Sequence, residues 1–240
     1  MHEVDNFDLN TFARVAASFG CGRFGYVVTP NIDHLSRCQE SATFRAYYRS
    51  ADYVLNDSRF AAVLWRVLKG VRLPVCPGSD LTAALLAGII GPSDRIVLIG
   101  GRPEQAAKLA AAYGLTNLRH HDPPMGFIQD PAALESCLQF IEAASPFRFC
   151  FLAVGSPQQE ELAYRLKVRG TARGLALCSG ASINFLTGVE KRAPRWVRAL
   201  ALEWLYRLAH DPRRLARRYL WRGPRSLAHV LRTHIVVRGA

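Results

Sequence analysis

Between residues 8 and 190, short apolar runs alternate with longer stretches in which apolar residues recur every three or four positions. The short runs read as strands at 24–29, 53–56, 95–100, 148–154 and 174–178. The intervals read as helices at 32–48, 60–68, 79–89, 103–113, 131–143 and 157–168, several opened by Pro or capped by Ser or Asp. This alternation predicts an α/β fold, a sheet with helices packed on its faces. No internal repeat or low-complexity linker interrupts it.

The pattern changes after residue 190. Trp196, Leu200, Trp204 and Leu208 recur at four-residue intervals, predicting a Trp-bearing stripe along one helix. Arg213, Arg214, Arg217, Arg218 and Arg222 follow Pro212 at helical spacing, with Leu215, Tyr219, Leu220 and Trp221 among them. Leu227, Val230, Leu231 and Ile235 form a last apolar set. Charge marks the same boundary. Residues 191–240 hold 13 Lys or Arg against Glu203 and Asp211, a net +11, whereas the whole chain is +12. Residues 1–190 are therefore expected to form the chemical domain and 191–240 a basic helical appendage. Its mix of cations and aromatics suits a peripheral membrane contact, in which Trp and Leu enter the headgroup layer beside anionic lipid. A solvated basic face and a nucleic-acid arm are the competing readings.

Composition narrows the class. With 240 residues, 50% hydrophobic and 21% charged, the chain has material for one large core, which excludes a disordered tail, a collagen-like rod or a disulfide-stapled miniprotein. Six Cys without a CxxC pair, and an N-terminal stretch unlike a secretory signal, predict a reduced cytosolic protein. No apolar run approaches the roughly 20 residues that span a bilayer.

In open α/β sheets ligands bind beyond the carboxyl ends of the strands, so the residues there carry the candidate chemistry. Thr29-Pro30-Asn31 follows the first strand, with Asn31 a natural helix cap. Asn56-Asp57-Ser58-Arg59 follows the second, and Asp57 is either a cap or a general base at a cleft edge. Gly100-Gly101 runs into a helix start that suits a phosphate, although it lacks GxGxxG. Gly155-Ser156-Pro157-Gln158-Gln159-Glu160 reads as a capping box with Ser156 at the N-cap, Pro157 first and Gln159 third. His120-His121 before Pro123-Pro124 reads as a surface turn. The His residues have no zinc spacing and there is no Asp-x-Asp pair, so no metal site is expected.

In their order these segments resemble the WecG/TagA/CpsF glycosyltransferases, glycosyltransferase family 26. The resemblance runs from Thr29-Pro30-Asn31 through Ala51-Asp52-Tyr53-Val54-Leu55-Asn56-Asp57, Gly78-Ser79-Asp80-Leu81, Gly100-Gly101 and the Gln159 segment. It continues into Lys191-Arg192-Ala193-Pro194, Glu203-Trp204-Leu205-Tyr206-Arg207-Leu208 and the Arg213 to Leu220 stretch. It implies a Rossmann-like domain with a membrane-contacting appendage. The implied reaction is inverting, metal-independent transfer of a sugar from a UDP-sugar to an undecaprenyl-diphosphate-linked saccharide at the inner face of a bacterial plasma membrane, in exopolysaccharide or surface-glycan synthesis. No cofactor is implied. Asp57 matches the family's proposed base, Thr29 and Asn31 match the pocket floor, and Gln159 matches a glutamine near the donor. Arg192 and the later arginines are candidates for the diphosphate.

The sequence departs from the family at Val75, where an Arg is frequent, at Arg59, where a small residue is usual, and at Asn184, where Asp is common. These departures leave a catalytically inactive scaffold of a glycan-assembly complex as one alternative. A basic nucleic-acid-binding α/β protein is the other.

Overall fold

A computed structural model describes residues 2–210, 212 and 235–238. The elements in chain order are β1 His2–Asp5, α1 Leu9–Ser18, β2 Phe24–Val28, α2 Ile32–Glu40, α3 Ala42–Arg49, β3 Tyr53–Val54, α4 Arg59–Lys69, α5 Gly78–Gly88, β4 Ile96–Ile99, α6 Pro103–Tyr113, β5 Leu118–His121, a 3-10 turn Phe127–Gln129, α7 Pro131–Ala143, β6 Phe149–Leu152, α8 Gln158–Arg169, β7 Gly174–Cys178, α9 Ser182–Leu186, α10 Arg195–Ala199, α11 Glu203–His210 and β8 Ile235–Arg238.

Six strands form one parallel sheet in the order β3-β2-β7-β6-β4-β5. Strands β2, β4, β6 and β7 are buried along their full length, as expected for a sheet covered on both faces. One face packs on α2, α3, α7 and α8 through Cys38, Tyr47, Leu138 and Leu162. The other packs on α1, α5, α6 and α9 through Phe12, Leu81, Leu109 and Ile183. A smaller cluster of Leu35, Ala61, Trp65 and Leu73 seats α4. The expected α/β class with helices on both faces is what the chain adopts, and the architecture is Rossmann-like.

Several elements differ from the sequence expectation. The helix expected at 32–48 is two helices, because Ser41 is extended and its hydroxyl caps α3 by accepting from the Phe44 amide. His120 and His121 lie not in a turn but in β5, which among the described residues pairs with β4 alone. The Trp-bearing stripe is split: α10 and α11 are separate, with Ala201 left-handed between them at φ +58°. Ala193 and Val197 are buried there, while Trp196 and Leu200 are exposed. The appendage is not wholly helical, since Ile235–Arg238 pairs with β1 in a separate two-stranded sheet. Arg213, Arg214, Arg217, Arg218 and Arg222 lie outside the described residues. Among the described residues no helix is long and apolar enough to cross a membrane.

The small sheet is clamped to the large one. Asp5, nearly buried, accepts a hydrogen bond from the Val54 amide of β3 at 2.6 Å and from Arg238 Nη2 at 3.0 Å. The paired carboxylate thus fixes β1 and β8 beside the strand that leads to Asp57.

The central strand β7 starts where the backbone tolerates only glycine. Gly174 sits at φ +125°, and a Cβ there would lie 2.0 Å from the Phe147 carbonyl oxygen. Gly174→Ala is expected to lower unfolding stability by about 3 kcal/mol or more, measured by urea titration.

Candidate active site at the carboxyl ends of the strands

Because the six strands run the same way, the residues after β3, β2, β7, β6 and β4 line one edge, a row roughly 20 Å long at about 5 Å per strand. The chain leaves β4 through α6 on one face and leaves β6 through α8 on the other. Adjacent strands with diverging exits open a crevice between them.

At the β2–β3 end, Thr29 and Asp57 meet at the start of α5. The Gly78 amide donates to Asp57 Oδ1 at 2.9 Å, and a Cβ on Gly78 would lie 2.9 Å from Thr29 Oγ1. Glycine is what lets the threonine hydroxyl close on this backbone. The Asp57 amide is itself anchored to the Pro30 carbonyl, and Asn56 turns the chain by accepting from the Ser58 amide and donating to the Pro74 carbonyl. Asp57 does not cap α4; the Ser58 hydroxyl does, accepting from the Ala61 amide. The Asp57 carboxylate is only partly buried. Below it, burial pushes the Cys76 thiol up to about 12, and the negative charges of Asp57, Asp8 and Asp80 add to that shift.

Asn31 is the cap of α2, its Oδ1 accepting from the Asp33 and His34 amides.

A second cluster stands on Asp80, two residues into α5. Arg192 Nη2 reaches its Oδ1 at 2.8 Å and the Ser79 hydroxyl at 2.8 Å; Arg198 Nη1 reaches Oδ1 at 3.2 Å; Arg59 Nη2 reaches Oδ2 at 3.4 Å. Three guanidinium groups around one carboxylate leave a local excess of positive charge next to Asp57. Arg59 and Arg192, both candidates from sequence, are thereby brought together. Asp80 and Arg198 were not singled out there, although the Gly78-Ser79-Asp80-Leu81 motif pointed at the first.

At the β6–β7 end the expected capping box is absent. The peptide before Pro157 is cis, and Pro157, not Ser156, precedes α8. Gln159 instead bridges the two strand ends, its Oε1 accepting from the Gly180 amide at 2.9 Å and its Nε2 donating to Glu160 Oε1 at 2.9 Å. Glu160 is fully buried, and its Oε2 has no hydrogen-bond partner among the described residues. Burial raises its pKa above the ordinary carboxylate value, opposed by hydrogen bonds from Gln159 and Ser156 and by the Arg37 charge.

Gly100 and Gly101 form the β4–α6 turn at φ +88° and +77°. A Cβ on Gly100 would lie 2.9 Å from Val154 and 3.0 Å from the Ala153 carbonyl, so the turn presses on the β6 end. His120 Nε2 lies 2.9 Å from the Gly101 carbonyl. The first amide of the α6 cap is already taken, Arg102 N donating to Gln105 Oε1. Gln105 also donates to Asn184 Oδ1, whose own Nδ2 donates to Glu190. An Asp at 184 would lose that donor and face the Glu190 carboxylate, which accounts physically for Asn here.

Among the described residues no three His, Cys, Asp or Glu side chains gather as a metal-holding group. The fold and these strand ends define an α/β protein with a partly exposed carboxylate beside a cluster of arginines. A sequence model of the glycosyl transferase WecG/TagA/CpsF family matches residues 2–239. The chain belongs to that family and is a glycosyltransferase.

Glu160 generates a pH prediction. Its folded pKa is raised, so above the ordinary glutamate value the unfolded chain holds fewer protons than the fold, and stability falls as pH rises. Glu160→Gln removes this loss. Its midpoint of thermal unfolding is expected to exceed that of the parent protein at about pH 8 and to match it at about pH 4.

Proposed function

We propose that the protein is an inverting, metal-independent transferase that moves a sugar from a UDP-sugar to an undecaprenyl-diphosphate-linked saccharide in bacterial surface-glycan synthesis. Asp57 is the base. It takes the proton of the acceptor hydroxyl as that oxygen bonds to the anomeric carbon, while the bond from that carbon to UDP breaks on the opposite face. The observation that carries this reading is the Asp57 carboxylate, partly exposed, fixed by the Gly78 amide and bordered by the Asp80 arginines.

The departing diphosphate gains charge in the transition state, so it needs cations or backbone amides aimed at it. Arg192 and Arg59 supply the cations. Arg59 starts the helix directly after Asp57 and, at 43% side-chain exposure and 3.4 Å from Asp80, is the least committed of the three. That takes the place of the arginine missing at Val75. Thr29 and the Gly100-Gly101 turn border the donor, as does Gln159. Asn31 has its Oδ1 committed to the helix cap, so a donor contact falls to its Nδ2.

Residues 191–240 form the appendage. Arg213, Arg214, Arg217, Arg218 and Arg222 meet the anionic surface and the lipid diphosphate. The reaction then takes place at the cytoplasmic face of the plasma membrane, with the protein held peripherally. The net +11 of this segment supports that placement.

The test is turnover of radiolabelled UDP-sugars with a polyprenyl-diphosphate-linked acceptor. Asp57→Asn is expected to fold and bind UDP normally and to lose transfer by roughly two to four orders of magnitude. Near-normal turnover would remove Asp57 from the mechanism. Arg59→Ala is expected to lower kcat by about tenfold to a hundredfold, read in the same assay.

A further inference from the structure

Helix α4 packs one apolar face on the core and leaves part of a second uncovered. Ala61 and Trp65 are buried against Leu35 and Leu73. A second stripe, Phe60, Val63, Leu64 and Val67, has the i, i+3, i+4, i+7 spacing of one helix face; Leu64 packs partly against the buried cluster, whereas Val63 and Val67 face outward. Val63 is 55% exposed and Val67 74% exposed, with Leu68 at 51% beside them. Isolated exposed aliphatics are ordinary, but a row along a single helix marks a contact surface.

This stripe continues into the appendage. The Phe60 ring lies 6.3 Å from that of Trp204 in α11, and Arg59 shares Asp80 with Arg198 of α10. Trp196 and Leu200, 66% and 62% exposed, carry the apolar surface onward. Charge identifies what covers it. Between Asp57 and Asp80, besides the Arg59 that pairs with Asp80, the chain has Arg66, Lys69 and Arg72, all exposed, and no acidic residue. Aliphatic side chains beside a purely cationic border fit the boundary of an anionic bilayer, where the stripe enters the acyl region and the cations meet lipid phosphates. A nucleic acid would use the cations and leave the valines in water.

We infer that α4 is a membrane-contacting element of the catalytic domain itself, lying in the headgroup plane of an anionic lipid surface together with α10 and α11. The inference rests on the peripheral-membrane reading above and extends it from the appendage to the helix that follows Asp57. The membrane then holds the base at a set height above the lipid phosphates, rather than tethering the enzyme by a remote tail.

The test is co-sedimentation of the full chain with sucrose-loaded vesicles of phosphatidylglycerol or of phosphatidylcholine. The parent protein is expected to sediment with the phosphatidylglycerol vesicles, and Val63→Asp/Val67→Asp to lower its partition coefficient about tenfold or more. Its thermal unfolding and its calorimetric affinity for UDP are expected to stay unchanged. An environment-sensitive dye on Val67→Cys, in a Cys21→Ser background, is expected to shift blue when those vesicles are added. If the parent protein fails to sediment, the membrane reading falls as a whole and this inference with it. Should the parent sediment and the double variant sediment equally, α4 alone is excluded and the appendage suffices. Loss of a parent dimer in the double variant, with vesicle binding intact, would make the stripe an interface between two copies and overturn the proposal.

Discussion

Every strand of the main sheet points the same way, and the rest of the molecule follows from that constraint. A parallel strand has to be reached by a crossover, so each strand end opens into a turn and a helix start on the same edge. Thr29, Asp57, Gly100, Gln159 and Gly180 come from five such turns and would be scattered if one strand were reversed. The edge is kept narrow by close approaches that need glycine, Gly78 under Thr29 and Gly100 against Ala153. The same geometry leaves the Gly78 amide directed at Asp57 instead of at a helix cap.

The arginines around Asp80 illustrate how magnitudes decide function. Partly exposed ion pairs contribute roughly 0–1 kcal/mol each, so holding three guanidinium groups on one carboxylate adds little to folding. What the arrangement provides is cations gathered near Asp57 yet weakly held, which on the proposed mechanism exchange Asp80 for a diphosphate at small cost. The Asp5 carboxylate works differently: nearly buried, it takes the β3 amide and Arg238 together, and losing Arg238 would leave it with a backbone amide but no paired cation.

The order of strands and helices was legible because β2, β4, β6 and β7 are apolar from end to end, and because helices α6 and α7 begin at prolines that announce them. Strand β5 was not, since Leu118-Arg119-His120-His121 lies at the sheet edge and carries an edge strand's polar mix. Strands β1 and β8 were invisible for a different reason: their partners are some 233 residues apart and no turn signal joins them. Within the site, Asp57, Thr29 and Gln159 could be named from their places after strands and from family resemblance. Their partners could not. That Gln159 reaches Gly180, or that Arg59, Arg192 and Arg198 converge on Asp80, depends on tertiary contacts across 20 to more than 100 residues, which local patterning does not encode. Glu160 sat in a quoted motif, but nothing in its neighbours forecast complete burial.

The cysteines divide sharply by chemistry. Cys38, Cys76, Cys137, Cys150 and Cys178 lie in the core, where burial raises every thiol to about 12 or well above the ordinary value. Cys21 alone is at the surface, bordering a groove of about 560 Å³ formed with Asp94, Arg95 and Arg148 at the amino ends of the strands. Thiol-directed alkylating reagents therefore meet one exposed cysteine per molecule, at the pole opposite the carboxyl ends of the strands. The fold comes with a ready-made attachment point, through which the enzyme can be immobilised or given a reporter without obstructing the carboxyl edge of its sheet.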